Sequence, residues 1–235
     1  MLNQIRKYIF YLRKGGPKEF LRYYNLNKFE KNVFGRKKLI WNSLGFWQVD
    51  PMPTENELEK FYSEIYWLNN RYYKDILLTP RDLNHFLFLK NKVLNNLSEQ
   101  NNIMNFGAGH GGISYLLATN NFKIINIEPS NVPSFNYKNF NSYQTMNAFL
   151  NNSNNSVKID FLYSSHTVEH LSDPIKFFKV ILNILNENAL VFIEVPNCRK
   201  TIINQDYAEG GCDGKITGSH LIYFTKDFFE KFNCK

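Results

Sequence analysis

The chain has 235 residues, enough for one α/β domain with an appendage and too few for two full enzymatic domains. Its 43% hydrophobic and 21% charged residues are ordinary for a globular protein, and 21 Phe with 14 Tyr supply rings for both a core and a pocket. The formal net charge of +7 favours anionic partners without choosing among nucleotides, phosphorylated metabolites, nucleic acid and a membrane surface.

The chain opens on a basic stretch, Arg6, Lys7, Arg13, Lys14, Lys18 and Arg22, followed by Arg36, Lys37 and Lys38, and this reads as a solvated face. The apolar run Tyr8 to Leu12 is too short to cross a bilayer and lacks a cleavage site. Residues 1–14 are expected to form a helix covering the main domain, with a basic amphipathic helix lying on a membrane or a partner as the alternative. The three cysteines, Cys198, Cys212 and Cys234, form no Cys-x-x-Cys pair and gather no ligand cluster. No metal is therefore expected, and a reducing cytoplasm is the expected location. The chain divides near residue 75. Residues 1–75 read as a helical, basic N-terminal region or lid, and 76–235 as the domain that carries the site.

Two helix starts are marked. Thr54-Glu55-Asn56-Glu57 after Pro53 has capping-box spacing and opens a helix to about Trp67. Thr79-Pro80-Arg81-Asp82 pairs a cap with a first-turn proline, and Leu83, Phe86, Leu87, Leu89, Val93, Leu94 and Leu97 give the next helix its apolar face. Short apolar runs then predict buried parallel strands at Ile103–Phe106, Lys123–Ile127, Ile159–Ser164 and Ala189–Val195, with a weaker one at Ser142–Thr145. Helices are predicted over Gly111–Thr119, Ser172–Leu185 and Lys226–Phe232, and an Asn/Ser-rich loop over Asn151–Ser156. Alternation of this kind implies a Rossmann-like, mostly parallel sheet with helices on both faces.

Gly107-Ala108-Gly109-His110-Gly111-Gly112 follows the first strand and opens a helix. Glycines there allow a tight turn and let a ligand approach the backbone. Glu128 ends the second strand 19 residues beyond Gly109, where a carboxylate can accept from both hydroxyls of a ribose. The pair indicates an adenosine-containing ligand. Because Gly107, Gly109 and Gly112 also match G-x-G-x-x-G, a nicotinamide dehydrogenase stays open at this point.

The remaining segments resemble the class I S-adenosylmethionine-dependent methyltransferases, especially the small-molecule branch of surface-polysaccharide (capsule) pathways. The resemblance rests on Asn105 to Gly111, on Glu128, on the run Asp160 to Pro174 with its Val168-Glu169-His170-Leu171 core, on Phe192 to Asn197, and on His220 to Thr225. Pro51-Met52-Pro53-Thr54 with Phe61-Tyr62 and Tyr66-Trp67 is similar to the lead-in of such enzymes. It covers about residues 45 to 230, and it makes the dehydrogenase unlikely on sequence grounds.

The resemblance implies S-adenosyl-L-methionine as cofactor, held by Asn105, Gly107, Ala108, Gly109, Gly111, Glu128, Pro129, Met146, Asn147, Ser165 and His166, with Met146 and Asn147 at the adenine. It implies His220 and His166 as catalytic bases, and Tyr66 with Arg71 as a lid. His110 lines the cofactor or solvent, and His170 is a structural histidine near Glu169. The implied reaction is O-methylation of a small polar acceptor, phosphorylated or nucleotide-linked, from a surface-glycan pathway. N- or C-methylation and a non-catalytic cofactor-binding scaffold are the alternatives. Neither a nucleic-acid partner nor a transmembrane segment is expected.

Two departures stand out. Asn105 replaces the acid usual in the first motif. The family's last two strands have no sequence left before Lys235: either the chain is shortened, or the sheet ends early with its edge covered by the N-terminal region or by a second subunit in a homodimer.

Overall fold

The computed structural model describes residues 38–65, 78–130, 134–153, 156–198 and 219–233, with short stretches between 16 and 34. The expectations for residues 1–14, for the lid residues Tyr66 and Arg71, and for Cys212 and Cys234 lie outside the described residues.

A five-stranded parallel sheet forms from β3 (Asn102–Phe106), β4 (Lys123–Ile127), β5 (Phe140–Tyr143), β6 (Ile159–Ser165) and β7 (Leu185–Glu194). Its order is β5-β4-β3-β6-β7. Neighbouring residues of one strand point to opposite faces, so Ile103 and Met104, Ile124 and Ile125, and Phe161 and Leu162 feed two separate cores. One core takes Leu89 from α2 (Pro80–Lys92) and Ile113 and Leu117 from α3 (Gly112–Ala118). The other takes Phe177, Phe178, Ile181 and Ile184 from α5 (Pro174–Ile184). Burial on both faces explains why these strands read as continuous apolar runs. The chain winds outward from β3 to β5, then returns to lay β6 beside β3. That reversal opens a crevice at the carboxyl ends of β3 and β6, where ligands bind in open α/β sheets.

The helix starts follow the sequence. Thr54 accepts from the Glu57 amide at 3.3 Å while Glu57 accepts from the Thr54 amide at 2.8 Å, opening α1 (Glu55–Lys60), which continues as a wider turn to Ile65. At α2, Thr79 and Asp82 exchange the same pair at 3.2 and 2.8 Å. Asp173 caps α5 by accepting from the Lys176 amide at 2.8 Å. α4 (Met146–Asn152) is capped by Thr145. Replacing Thr79 by alanine is expected to cost about 1 kcal/mol. Calorimetry should show this as a melting point lowered by about 2–4 °C.

The helix Met146–Asn152 was not foreseen, and neither was a small second sheet. Within the region read as helical, β1 (Lys38–Asn42) and β2 (Phe46–Asp50) form a hairpin. Its second strand pairs antiparallel with β8 (Ile222–Phe224), placing Phe46 opposite Phe224 and Gln48 opposite Ile222. The hairpin turn needs a glycine: Gly45 has φ +107, and a Cβ there would come within 2.8 Å of the Phe228 amide nitrogen. Phe46, Phe224 and Phe228, the last from α6 (Lys226–Asn233), pack with ring centroids 4.9 to 5.8 Å apart. The period-2 pattern of Leu39, Trp41, Trp47 and Val49 carries the signal for these strands. Among the described residues, no helix is long and apolar enough to cross a membrane.

Candidate active site

The glycine loop leaves β3 at its carboxyl end. Gly107, Gly109 and Gly111 all have positive φ, at +77, +53 and +73. The Gly107 and Ala108 amides donate to the Ile127 carbonyl, tying the loop to β4. A Cβ on Gly107 would overlap the Thr167 side chain, so the segment after β6 lies directly on the loop. A Cβ on Gly112 would come within 2.6 Å of the Asp82 carboxylate, which sets the first turn of α2 against α3.

Beside the loop runs an open cleft lined by Ala108, Gly109, Gly111, Asn126, Glu128 and Ser130, and at its far end by Ser142, Tyr143 and Gln144. Glu128 accepts from the Gly109 amide at 2.8 Å and from the Ser130 amide and hydroxyl at 3.1 and 2.5 Å. A Cβ on Gly111 would meet nothing nearer than Ser114 at 4.0 Å, so it would stand in the open cleft. A bare backbone wall, a carboxylate between the loop and β4, and a polar far end suit the adenosyl group of S-adenosylmethionine.

Of the residues expected to hold the cofactor, Ala108, Gly109, Gly111 and Glu128 line this cleft. Gly107 lies behind them as the support for Thr167. Other expected residues do not line it. Asn105 is 1% exposed, and its amide donates to Ser114, whose hydroxyl donates to Asn126 at 2.6 Å. A neutral amide suits that buried position, where a carboxylate would be desolvated. Met146 packs against the core and Asn147 is exposed on α4; Ser142 to Gln144 occupy the cleft end instead. Pro129 is exposed beside Glu128. His110 belongs to the loop, and its carbonyl accepts from the Phe135 amide at 2.9 Å.

The other side of the crevice is rich in titratable groups. Ser165 hydrogen-bonds both Arg81 and Glu194, and Arg81 reaches Glu194 at 2.7 Å. His85 lies 3.5 Å from Glu194 and 2.7 Å from the Tyr163 hydroxyl. Burial pushes the Glu194 carboxyl up, but Ser165, Arg81 and His85 together outweigh it and leave it below its ordinary value. Burial also pushes Tyr163 up to about 12, so it stays a protonated donor. Arg81, His85 and Glu194 were not singled out from the sequence as site residues; the cap at Thr79 aims the first two.

His166 follows β6 with φ +51, a strained angle for histidine, and its side chain is 41% exposed. Its Nδ1 lies 3.3 Å from Glu169 and its Nε2 3.7 Å from Glu194. His170 Nε2 and His220 Nε2 each lie 3.9 Å from the same Glu169 oxygen. The Leu221 amide donates to the Glu169 carbonyl at 2.8 Å, so β8, held by the hairpin, brings His220 to the cluster. Burial pushes His220 down to about 4, with His170 adding to the shift, and burial lowers His170 as well. Both imidazoles are neutral at pH 7. The sequence had placed His220 and His166 at the site, but not their convergence on Glu169.

Residues 78–231, about two thirds of the chain, match the family described as "Methyltransferase domain". No curated protein matches the chain. One similar solved structure is a methyltransferase from an antibiotic biosynthesis pathway of Anabaena variabilis ATCC 29413, 22% identical over 46% of this chain and 45% of that one, with a TM-score of 0.38. Another is a coclaurine N-methyltransferase bound to N-methylheliamine and SAH, 14% identical over 89% of this chain and 63% of that one, with a TM-score of 0.46. This chain spans less than two thirds of the length of either. With a family match over about two thirds of its length, the chain belongs to the methyltransferase-domain family.

Proposed function

We propose that the protein methylates an oxygen of a small polar acceptor that carries phosphate or a nucleotide and serves as a precursor of a surface glycan. The observation that carries this reading is the place of His166, at the end of β6, next to the glycine loop through the Gly107–Thr167 contact. S-adenosylmethionine supplies an electrophilic methyl group, so the protein's own task is to hold the acceptor in line and to manage its proton.

A sugar hydroxyl needs a base. Glu169 stands 3.3 Å from Nδ1 of His166 and orients the ring, leaving Nε2 at the open rim to take the proton. His220, which the resemblance also named as a base, is pushed by burial to about 4 and is a weak one. Arg81, half exposed above Ser165 and Glu194, offers a cation to an anionic acceptor. The net charge of +7 suits the same chemistry and a cytoplasmic pool of nucleotide-linked precursors.

The test is a transfer assay with labelled S-adenosylmethionine against nucleotide-linked sugars, phosphorylated sugars and their dephosphorylated counterparts. Turnover restricted to the phosphorylated set supports the reading. Preference for amines or neutral acceptors overturns it. His166→Gln is expected to lower kcat/KM by about 10²–10⁴ while leaving cofactor affinity unchanged. Unaltered turnover would remove His166 as the base.

A further inference from the structure

Glu169 is 1% exposed, and among the described residues neither of its carboxylate oxygens accepts a hydrogen bond. Burying an unpaired carboxylate is costly, by several kcal/mol even after relaxation, so such a group calls for a counter-charge. Three imidazoles surround it: Nδ1 of His166 stands at 3.3 Å as an ion-pair contact without forming a hydrogen bond, and Nε2 of His170 and of His220 each stand at 3.9 Å, beyond the range of an N–H···O bond.

The orientation of His170 sharpens the point. Its Nδ1 lies 2.8 Å from the Ser219 carbonyl, which can only accept, so Nδ1 carries the proton. The Tyr62 hydroxyl donates to the same carbonyl at 3.4 Å. With Nδ1–H held by that carbonyl, Nε2 is the ring nitrogen that stands on the Glu169 side, 3.9 Å from its carboxylate oxygen. A backbone carbonyl holding the far N–H is also the support that metal-ligating histidines use.

We propose that Glu169, His170 and His220 bind one divalent transition-metal ion. Their ligand atoms all lie within 4.8 Å of one another. Ligands at about 2.1 Å from a tetrahedral ion stand roughly 3.4 Å apart, so closing the site takes movements of an ångström or less. Two imidazoles and one carboxylate suit zinc, cobalt or manganese, and favour them over magnesium or calcium, which prefer all-oxygen shells. The next position around the ion faces His166, whose ring is the exposed member of the cluster. That position would receive the acceptor oxygen. This last role rests on the acceptor reading above, whereas binding of the ion does not.

The test uses the full, tag-free chain, stripped with chelator and titrated calorimetrically with Zn²⁺, and with Co²⁺ followed by visible absorption. One equivalent should bind, with cobalt bands reporting nitrogen and oxygen ligands. Glu169→Gln and His220→Gln should each weaken Zn²⁺ binding by about 100-fold or more, since changes one shell further out already cost 10- to 100-fold. Both variants should keep their affinity for S-adenosylmethionine and their circular dichroism, which separates ligand loss from misfolding. A parent chain that binds neither ion overturns the proposal, as do variants that bind like the parent. Zn²⁺ binding without turnover on any phosphorylated acceptor would leave the site standing and sink the acceptor reading. Turnover by a chain that takes up no ion and ignores chelator would do the reverse.

Discussion

Gly107→Ala is expected to melt on the order of 10 °C below the parent. Two costs combine. A φ of +77 charges any residue with a Cβ about 1–2 kcal/mol. The new methyl would also overlap the Thr167 hydroxyl and methyl and come within 2.7 Å of its Cβ, an overpacking cost of about 1–3 kcal/mol. Each kcal/mol moves the melting point of a domain this size by about 2–4 °C. Gly111→Ala is the control. Its φ of +73 carries the same backbone cost, but its Cβ meets nothing closer than 4.0 Å. It should lose less stability than Gly107→Ala and more cofactor affinity, because the methyl projects into the cleft. Adding Thr167→Gly to Gly107→Ala should recover the steric part and leave the backbone part, giving a coupling of about 1–3 kcal/mol in a double-mutant cycle. Equal melting points for the two single variants would show that Thr167 does not rest on the loop.

Much of this site was legible in the sequence because its carriers are local. The strand Lys123–Ile127 carries Ile124, Ile125 and Ile127 around Asn126, and its predicted ends match the structure. The glycine loop and Glu128 declare themselves through spacing and strand context. Where the reading fell short, the missing information was non-local. Asn105 lies at the motif position expected to face the cofactor, yet the Ser114 and Asn126 side chains turn it into a buried hydrogen-bond network. β7 begins at Leu185, four residues before Ala189: Asn186-Glu187-Asn188 carries no apolar signal and lies at the register shift between the Ile159–Leu185 and Phe161–Leu190 pairs. The histidine cluster was hidden by distance. Glu169 and His170 adjoin in sequence, but His220 reaches them only because β8 pairs with a hairpin near the other end of the chain. The cysteines had prompted the expectation of no metal; Cys198, the one among the described residues, is buried in the core and takes no part in that arrangement.

Glu128→Ala is expected to weaken S-adenosylmethionine and S-adenosylhomocysteine by roughly 10- to 100-fold, the equivalent of losing one or two hydrogen bonds to a charged group. The carboxylate is engaged within the chain: it accepts from the Gly109 amide and from both donors of Ser130. Those bonds fix its orientation, which lowers the ordering cost of binding. They also give the residue a second job, since it braces the loop against β4. The two roles separate by measurement. Loss of ribose contact appears as a raised Kd in calorimetric titration with a modest change in melting point. Loss of bracing appears as a lower melting point with affinity intact. Glu128→Gln refines the distinction: its amide oxygen still accepts from the Gly109 amide, while its NH2 faces the Ser130 amide and the charge that a diol prefers is gone. The glutamine variant should therefore keep more of the bracing than the alanine variant yet bind the cofactor more weakly than the parent. If both variants bind as tightly as the parent, the carboxylate is a brace alone, and the ribose must be held by Ser142 to Gln144 at the far end of the cleft.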